Sequence, residues 1–211
     1  MRTYSPPMLW AMLAIAAVCL ALSGWHPYDR VTWLMEVLPA LIVAPLLIAT
    51  YPRYPLTRLL YWLILLHAIV LMAGGAYTYA RVPFGFWLQE LLGTVRNPYD
   101  KVGHLMQGIV PAIAAREILL RGAYVRTRRM LAFIVVCIVL AISACYEFIE
   151  WWSALAMGQG ADEFLGLQGD EWDTQSDMLF AMIGAILAQL GLGRLHDAQL
   201  GPMPGYKSPD R

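Results

Sequence analysis

Six stretches of about 20 largely apolar residues follow one another along this chain, each long enough to cross a bilayer as a helix. They lie near Met8–Gly24, Val31–Thr50, Thr57–Ala80, Lys101–Leu120, Met130–Met157 and Ser176–Leu195. In hydrocarbon every backbone amide must be satisfied within its own segment, so such stretches fold as helices. Composition agrees: of 211 residues, 59% are hydrophobic and 14% charged, whereas a soluble domain is about a quarter charged. A disordered chain, an ordinary soluble enzyme and a nucleic-acid binder with a basic face are excluded. The expected fold is all-α, a polytopic transmembrane bundle of about six spans forming one domain over residues 1–211, with a cytoplasmic tail at 196–211.

The first stretch has two readings. Arg2, an apolar run and Ala21-Leu22-Ser23 resemble a signal peptide with its cleavage site; a retained anchor is the favoured alternative. Basic residues set the orientation. The link between spans four and five carries Arg121, Arg126, Arg128 and Arg129, Arg53 and Arg58 flank the link between spans two and three, and Arg194, Lys207 and Arg211 lie at or beyond the last span. All fall on one side if both termini are cytoplasmic. The opposite side then receives Asp29 and Arg30, a loop over 81–99 and a loop over 158–175. The stretch Phe86–Leu92 in the former reads as a short helix lying on the membrane surface, with Trp87 at headgroup level.

Charge is unevenly distributed although 15 basic residues balance 15 acidic ones. Between Met130 and Gly193 there is no Lys or Arg, yet eight acids occur: Glu147, Glu150, Asp162, Glu163, Asp170, Glu171, Asp173 and Asp177. Asp162 and Glu163 read as a solvated loop. Glu147 lies inside a span, where a charge is costly and faces a bundle interior or cavity. Three segments bring polar residues to the same side. Span four opens with Asp100, Lys101 and His104, where Asp100 and His104 share a face and Gln107 lies one turn deeper. Span five ends with Glu147 and Glu150, also on one face, beside Trp151 and Trp152. Span six is preceded by Asp173 and Asp177, with Gly184 and Ala185 further in allowing close helix approach. Asp173 also reads as a helix cap.

Carboxylates converging at membrane depth repel one another unless protons or cations neutralise them. One solution is a divalent cation (Mg²⁺, Mn²⁺, Fe²⁺ or Zn²⁺) held by His104, Glu147, Asp173 and Asp177, since oxygens with one imidazole suit these ions. Its rival is a protonated carboxylate network. With a metal, Glu150 would act as general base, Asp100 would orient His104, and Lys101 would meet a lipid phosphate. Arg116 pairs with Glu117 or snorkels. His67 reads as a helix–helix hydrogen-bonding residue and Glu36 as a candidate cavity group, while Tyr77 and Tyr79 close span three. His26 and His196 fall in or near loops without evident chemistry. Cys19, Cys137 and Cys145 read as buried small hydrophobes, not a disulfide or metal set.

The run Asp100-Lys101…His104, then Tyr146-Glu147-Phe-Ile-Glu150-Trp, then Gly169-Asp-Glu-Trp-Asp173-Thr-Gln-Ser-Asp177…Gly184-Ala185 resembles the YjdF-type family of bacterial inner-membrane proteins. The likeness extends through Tyr77-Thr-Tyr-Ala-Arg-Val-Pro83 and implies a fold and a location in the inner membrane, not an activity. Asp100, Lys101, His104, Glu147, Asp173, Gly184 and Ala185 are also distantly similar to the VanZ-like membrane proteins, implicated in resistance to a glycopeptide antibiotic. Glu150 and Asp177 stand where those proteins commonly carry Gln and Asn, which makes this chain the more acidic.

Three functions fit. The first is a membrane-embedded hydrolase or transferase acting on a membrane lipid or lipid-linked envelope precursor. It lacks a His-Glu-x-x-His motif, a Gly-x-Ser-x-Gly elbow and a P-loop. The second is a non-catalytic protein binding a cation or lipid. The third is a transporter with the acids as a proton or cation relay, which needs a route to the opposite side. A reporter active only in the cytoplasm is expected to work when fused after Arg211 and to be silent within the 81–99 loop. The reverse pattern overturns the orientation.

Overall fold

The computed structural model describes residues 3–157 and 168–202. Arg2, Asp162, Glu163, Lys207 and Arg211, all used in the sequence reading, lie outside the described residues. The described residues form helices and no strand: α1 (Pro6–Trp25), α2 (Arg30–Thr50), α3 (Arg58–Tyr77), α4 (Pro83–Leu92), α5 (Tyr99–Arg121), α6 (Arg128–Met157), α7 (Asp173–Gly191) and α8 (Gly193–Leu200).

Local chemistry sets several boundaries. Asp29 caps α2 by accepting from the Thr32 amide at 2.7 Å, a bond that lowers its carboxyl pKa. Thr57 caps α3. Pro6 and Pro83 occupy first-turn positions, where their missing N–H costs nothing. At the end of α3, Thr78 and Tyr79 adopt φ of 54° and 46°. Two successive non-glycine residues in the left-handed region cost about 1–2 kcal/mol each, and here they fold the Tyr79 ring back into the bundle.

α1, α2, α3 and α6 are long and apolar enough to cross a membrane, and α7 with α8 makes a fifth crossing if that bent pair is one span. α5 falls outside this set although it has 23 residues. It carries Asp100, Lys101, Arg116, Glu117 and Arg121 near its two ends. The expected last span at Ser176–Leu195 is interrupted: the chain bends by 59° between α7 and α8.

α5 is the central helix, packed against α3, α6 and α7. Its Ala112 and Ile113 are fully buried with Leu131, Val135 and Val139 of α6 and Ala181 and Ala185 of α7. The α5–α7 contact is the closest. A Cβ on Gly108 would run into the Ala181 carbonyl, and one on Gly184 into the Leu105 carbonyl. The outward faces of α1, α2 and α6 remain apolar, with Trp10, Val18, Ile42 and Phe133 exposed, as suits helices solvated by lipid. Cys137 and Cys145 are on such an exposed face rather than buried, because lipid is as apolar as a core and imposes no burial on them.

The end of the bundle bearing the arginine-rich link is held by one carboxylate. Glu117, fully buried, accepts from the Thr57 amide and from Thr57 Oγ1 at 2.8 Å. Arg121 Nη1 donates to it at 3.0 Å, and His196 Nε2 lies 3.1 Å away. His196 is therefore a buried helical residue of α8, not a loop residue without chemistry. Arg116 pairs with Asp197, not Glu117. Both differences have one cause: the bend after α7 returns α8 against α3 and α5.

Gly184→Leu is expected to destabilise the protein by about 1–3 kcal/mol or more, because the added atoms meet backbone and not a movable side chain. Thermal unfolding in detergent measures this, and an unchanged midpoint would contradict the α5–α7 contact.

Candidate functional site

At the other end, α5, α6 and α7 bring acids, a histidine and two cations together. Asp100 is in the first turn of α5, and Asp100 Oδ1 lies 3.5 Å from His104 Nε2 one turn on. That same Nε2 is 3.6 Å from Asp177 Oδ1 of α7. One atom from each of Asp100, His104 and Asp177 lies within 4.8 Å of the others. His104 Nδ1 is 2.9 Å from Gln107 Oε1. With the amide oxygen accepting from Nδ1–H, Nε2 faces two carboxylates, to which it donates when protonated and beside which it offers a lone pair to a cation when it is not.

The remaining predicted residues divide between two surroundings. Lys101 Nζ donates to Asp173 Oδ1 at 2.7 Å and to Asp177 Oδ1 at 2.5 Å. Arg96 Nη2 donates to Asp170 Oδ2 at 2.7 Å and to Asp173 Oδ1 at 2.5 Å. Asp173, predicted among the metal ligands, is thus engaged by two cations. Burial works against the charge on Arg96, but the hydrogen bond and charge of Asp173, with Asp170 and Asp100, outweigh it and raise the pKa. Glu147 Oε1 is 4.0 Å from His104 Nδ1 and, like Asp100 Oδ2, is buried without a hydrogen-bond partner.

Several members were missed in the sequence reading or weighed lightly. Arg96 immediately precedes the Asn97-Pro98 entrance to α5, a cation four residues before Asp100, which was a usable signal. Asn97 fastens that entrance: its Nδ2 donates to the Val82 carbonyl, its Oδ1 accepts from the Tyr99 amide, and Gln168 bonds its backbone on both sides. Gly85 of α4 packs directly against Asn97, since a Cβ there would overlap its side chain. Tyr146 donates to Glu36 Oε2 at 3.3 Å, so Glu36 of α2 belongs to the site with 3% exposure. Nothing in a single sequence pairs positions 110 residues apart. Tyr79 rests on Gly74 and Gly103, where a Cβ would meet its ring. His67, expected to hydrogen-bond between helices, instead has a buried Nε2 with no partner.

Between α1, α2, α3, α5 and α6 lies a cavity of about 1170 Å³. Its polar end is formed by Glu36, Tyr79, Asp100, His104, Tyr146 and Glu150. From there it runs past Gln107 and His67 along an otherwise largely apolar wall, including Val43, Ile64 and Val110, to Tyr54 and Tyr61. Lys101, Glu147, Asp173 and Asp177 are not on that wall.

Fold and site together define a polytopic helical membrane protein with a buried carboxylate–histidine cluster closing an apolar cavity. Residues 8–198 match the family described as predicted membrane protein DUF2238. The chain is 60% identical to the inner membrane protein YjdF of Escherichia coli strain K12 over 199 residues, 94% of this chain and 95% of that protein. It belongs to the DUF2238 family and is a bacterial inner-membrane protein. No solved structure matches it.

Replacing Lys101 by Met is expected to destabilise the protein by about 3–5 kcal/mol, because Asp173 and Asp177 lose a buried counter-charge. Adding Asp177→Asn should restore part of the loss. Thermal unfolding of the two variants checks both, and additive losses would contradict the pairing.

Proposed function

We propose that this protein acts on a membrane lipid or lipid-linked envelope precursor, whose tail occupies the cavity and whose head meets the carboxylate cluster. The observation that carries this reading is the continuity of the two: an apolar channel of lipid-tail character ends at Asp100, His104 and Glu150. Pockets of this volume, mostly apolar with a few convergent polar groups, are the common form of a small-molecule site. The arginine distribution favours an arrangement with the cluster at the outer face of the inner membrane, in which α5 would serve as a further crossing.

A divalent cation fits Asp100, His104 and Asp177. The donor set is two carboxylates and an imidazole whose Nε2 faces both, and Asp100 Oδ2 is buried without a hydrogen bond, 3.5 Å from Lys101 Nζ. Ions such as Mg²⁺ or Zn²⁺ bond oxygen and nitrogen at about 2.0–2.2 Å, so ligand atoms within 4.8 Å need only a small inward adjustment. The charge balance points the same way. Arg96 and Lys101 are engaged with Asp170, Asp173, Asp177 and Asp100, which leaves Glu36, Glu147 and Glu150 with no lysine or arginine pair among the described residues. When bound, the ion supplies Lewis-acid polarisation of a phosphoryl or acyl oxygen. Gln107 fixes the His104 ring, Glu147 flanks its Nδ1, and Glu150 on the cavity wall is placed to take a proton from water or a ligand hydroxyl.

Transport is less well supported. Beyond Gln107, the described cavity wall carries His67 and a few hydroxyls among apolar side chains, a poor path for an ion.

Elemental analysis of detergent-purified protein tests the site. Wild type is expected to hold one divalent ion per chain, and His104→Ala and Asp177→Asn less than a tenth of it. An ion-free wild type after supplementation would sink the metal and leave the protonated network. Turnover of lipid extracts by the loaded protein separates an enzyme from a binding protein, with Glu150→Gln expected to lose at least a hundredfold if Glu150 is the base.

A further inference from the structure

The cavity has charge of only one sign on its wall. Glu36, Asp100 and Glu150 line its polar end, and no lysine or arginine is among its lining residues. The nearby cations are already engaged: Lys101 bonds Asp173 and Asp177 and stands 3.5 Å from Asp100 Oδ2, and Arg96 bonds Asp170 and Asp173. An anionic head entering from the cavity would meet Glu36, Asp100 and Glu150, while Lys101 stays off the wall and is shared among Asp100, Asp173 and Asp177. Lys101 is thus not placed to receive a lipid phosphate.

Glu36 and Glu150 are the acids left on this wall once Asp100 is assigned to a cation with His104. Glu36 is nearly fully buried, with the Tyr146 hydroxyl donating to it at 3.3 Å and the Tyr79 hydroxyl also at hand. A buried carboxylate keeps its charge at high cost unless a counter-charge arrives. The rings of Tyr79 and Tyr146 also line this end, and aromatic faces attract ammonium groups. Further along the wall, His67 offers a buried Nε2 with no hydrogen-bond partner. A buried imidazole nitrogen left unpaired costs free energy that a polar ligand atom at that depth would recover.

We propose that the ligand of this cavity is an amphiphile with a protonated amine in its head, held by Glu36 and Glu150 beside Tyr146, with a polar linking atom at His67 and an apolar tail beyond. The proposal rests on the lipid reading of the cavity and narrows it to a chemical class. A free amine and an amine on a larger lipid head share this chemistry.

The test uses full-length protein in detergent with three probes of equal chain length: dodecylamine, dodecanol and dodecyl phosphate, each titrated with and without divalent metal and followed by native mass spectrometry. Dodecylamine is expected to bind at least tenfold tighter than dodecanol, with dodecyl phosphate weakest. Glu36→Gln with Glu150→Gln should erase the amine preference while leaving dodecanol affinity within about twofold, and His67→Phe should weaken all three by narrowing the cavity. Dodecyl phosphate binding as tightly as the amine, with or without metal, overturns the amine head and leaves the lipid reading standing. So does an amine preference that survives the double variant. Should that variant fail to fold, the wild-type ranking of the three probes decides. Failure of every probe to bind overturns the amine proposal and the lipid reading together. Phosphatidylethanolamine against its N-trimethylated counterpart then distinguishes a hydrogen-bonded amine from a merely cationic head.

Discussion

The site depends on a backbone contact made by residues with almost no side chain. Gly108 and Gly184 let α5 and α7 approach until a Cβ on either would strike the partner's carbonyl. At that separation Lys101 reaches both Asp173 and Asp177, and Asp177 stands 3.6 Å from His104. Larger residues would move the helices apart and break the ion pairs that neutralise part of the cluster. Packing and electrostatics are therefore coupled. The acids are tolerated because the helices are close, and a close approach driven by van der Waals contact is what small residues provide in lipid.

Charge is managed differently at the two ends. At the arginine-bearing end a single buried acid, Glu117, is satisfied by Thr57, Arg121 and His196, an arrangement that ties α3, α5 and α8 together. At the cluster end, acids outnumber their partners, and Asp100 and Glu147 each retain a buried oxygen with none. His196 Nδ1 in the first network is likewise buried without a hydrogen-bond partner, and an atom so left is costly unless something completes it. The difference between the two ends is the excess of carboxylates, which a ligand, proton or ion at the cluster end would offset.

Hydropathy was enough to make the fold class legible, and even the short α4 with its exposed Trp87 could be read from the 86–92 stretch. The bend at Leu192 could not, because an apolar run gives no sign of a change in direction. His196 and Asp197 looked like residues beyond a span, yet the bend carries them onto Glu117 and Arg116. Cys137 and Cys145 were misread for a related reason: hydrophobicity does not say whether an apolar face meets protein or lipid, and both meet the outside.

What the sequence by itself determined is the set of helices and the ends of them that carry acids or arginines, since a 20-residue apolar run in lipid has one way to satisfy its backbone. The i,i+4 spacing of Asp100 with His104 and of Asp173 with Asp177 followed from helical geometry alone. Which of those residues meet was decided only in three dimensions. Asp173 went to Arg96 and Lys101, Asp100 joined Asp177 around His104, and Glu36 arrived from α2 through Tyr146. Helix rotation and separation are set by side-chain packing over the whole interface, and no local spacing encodes them.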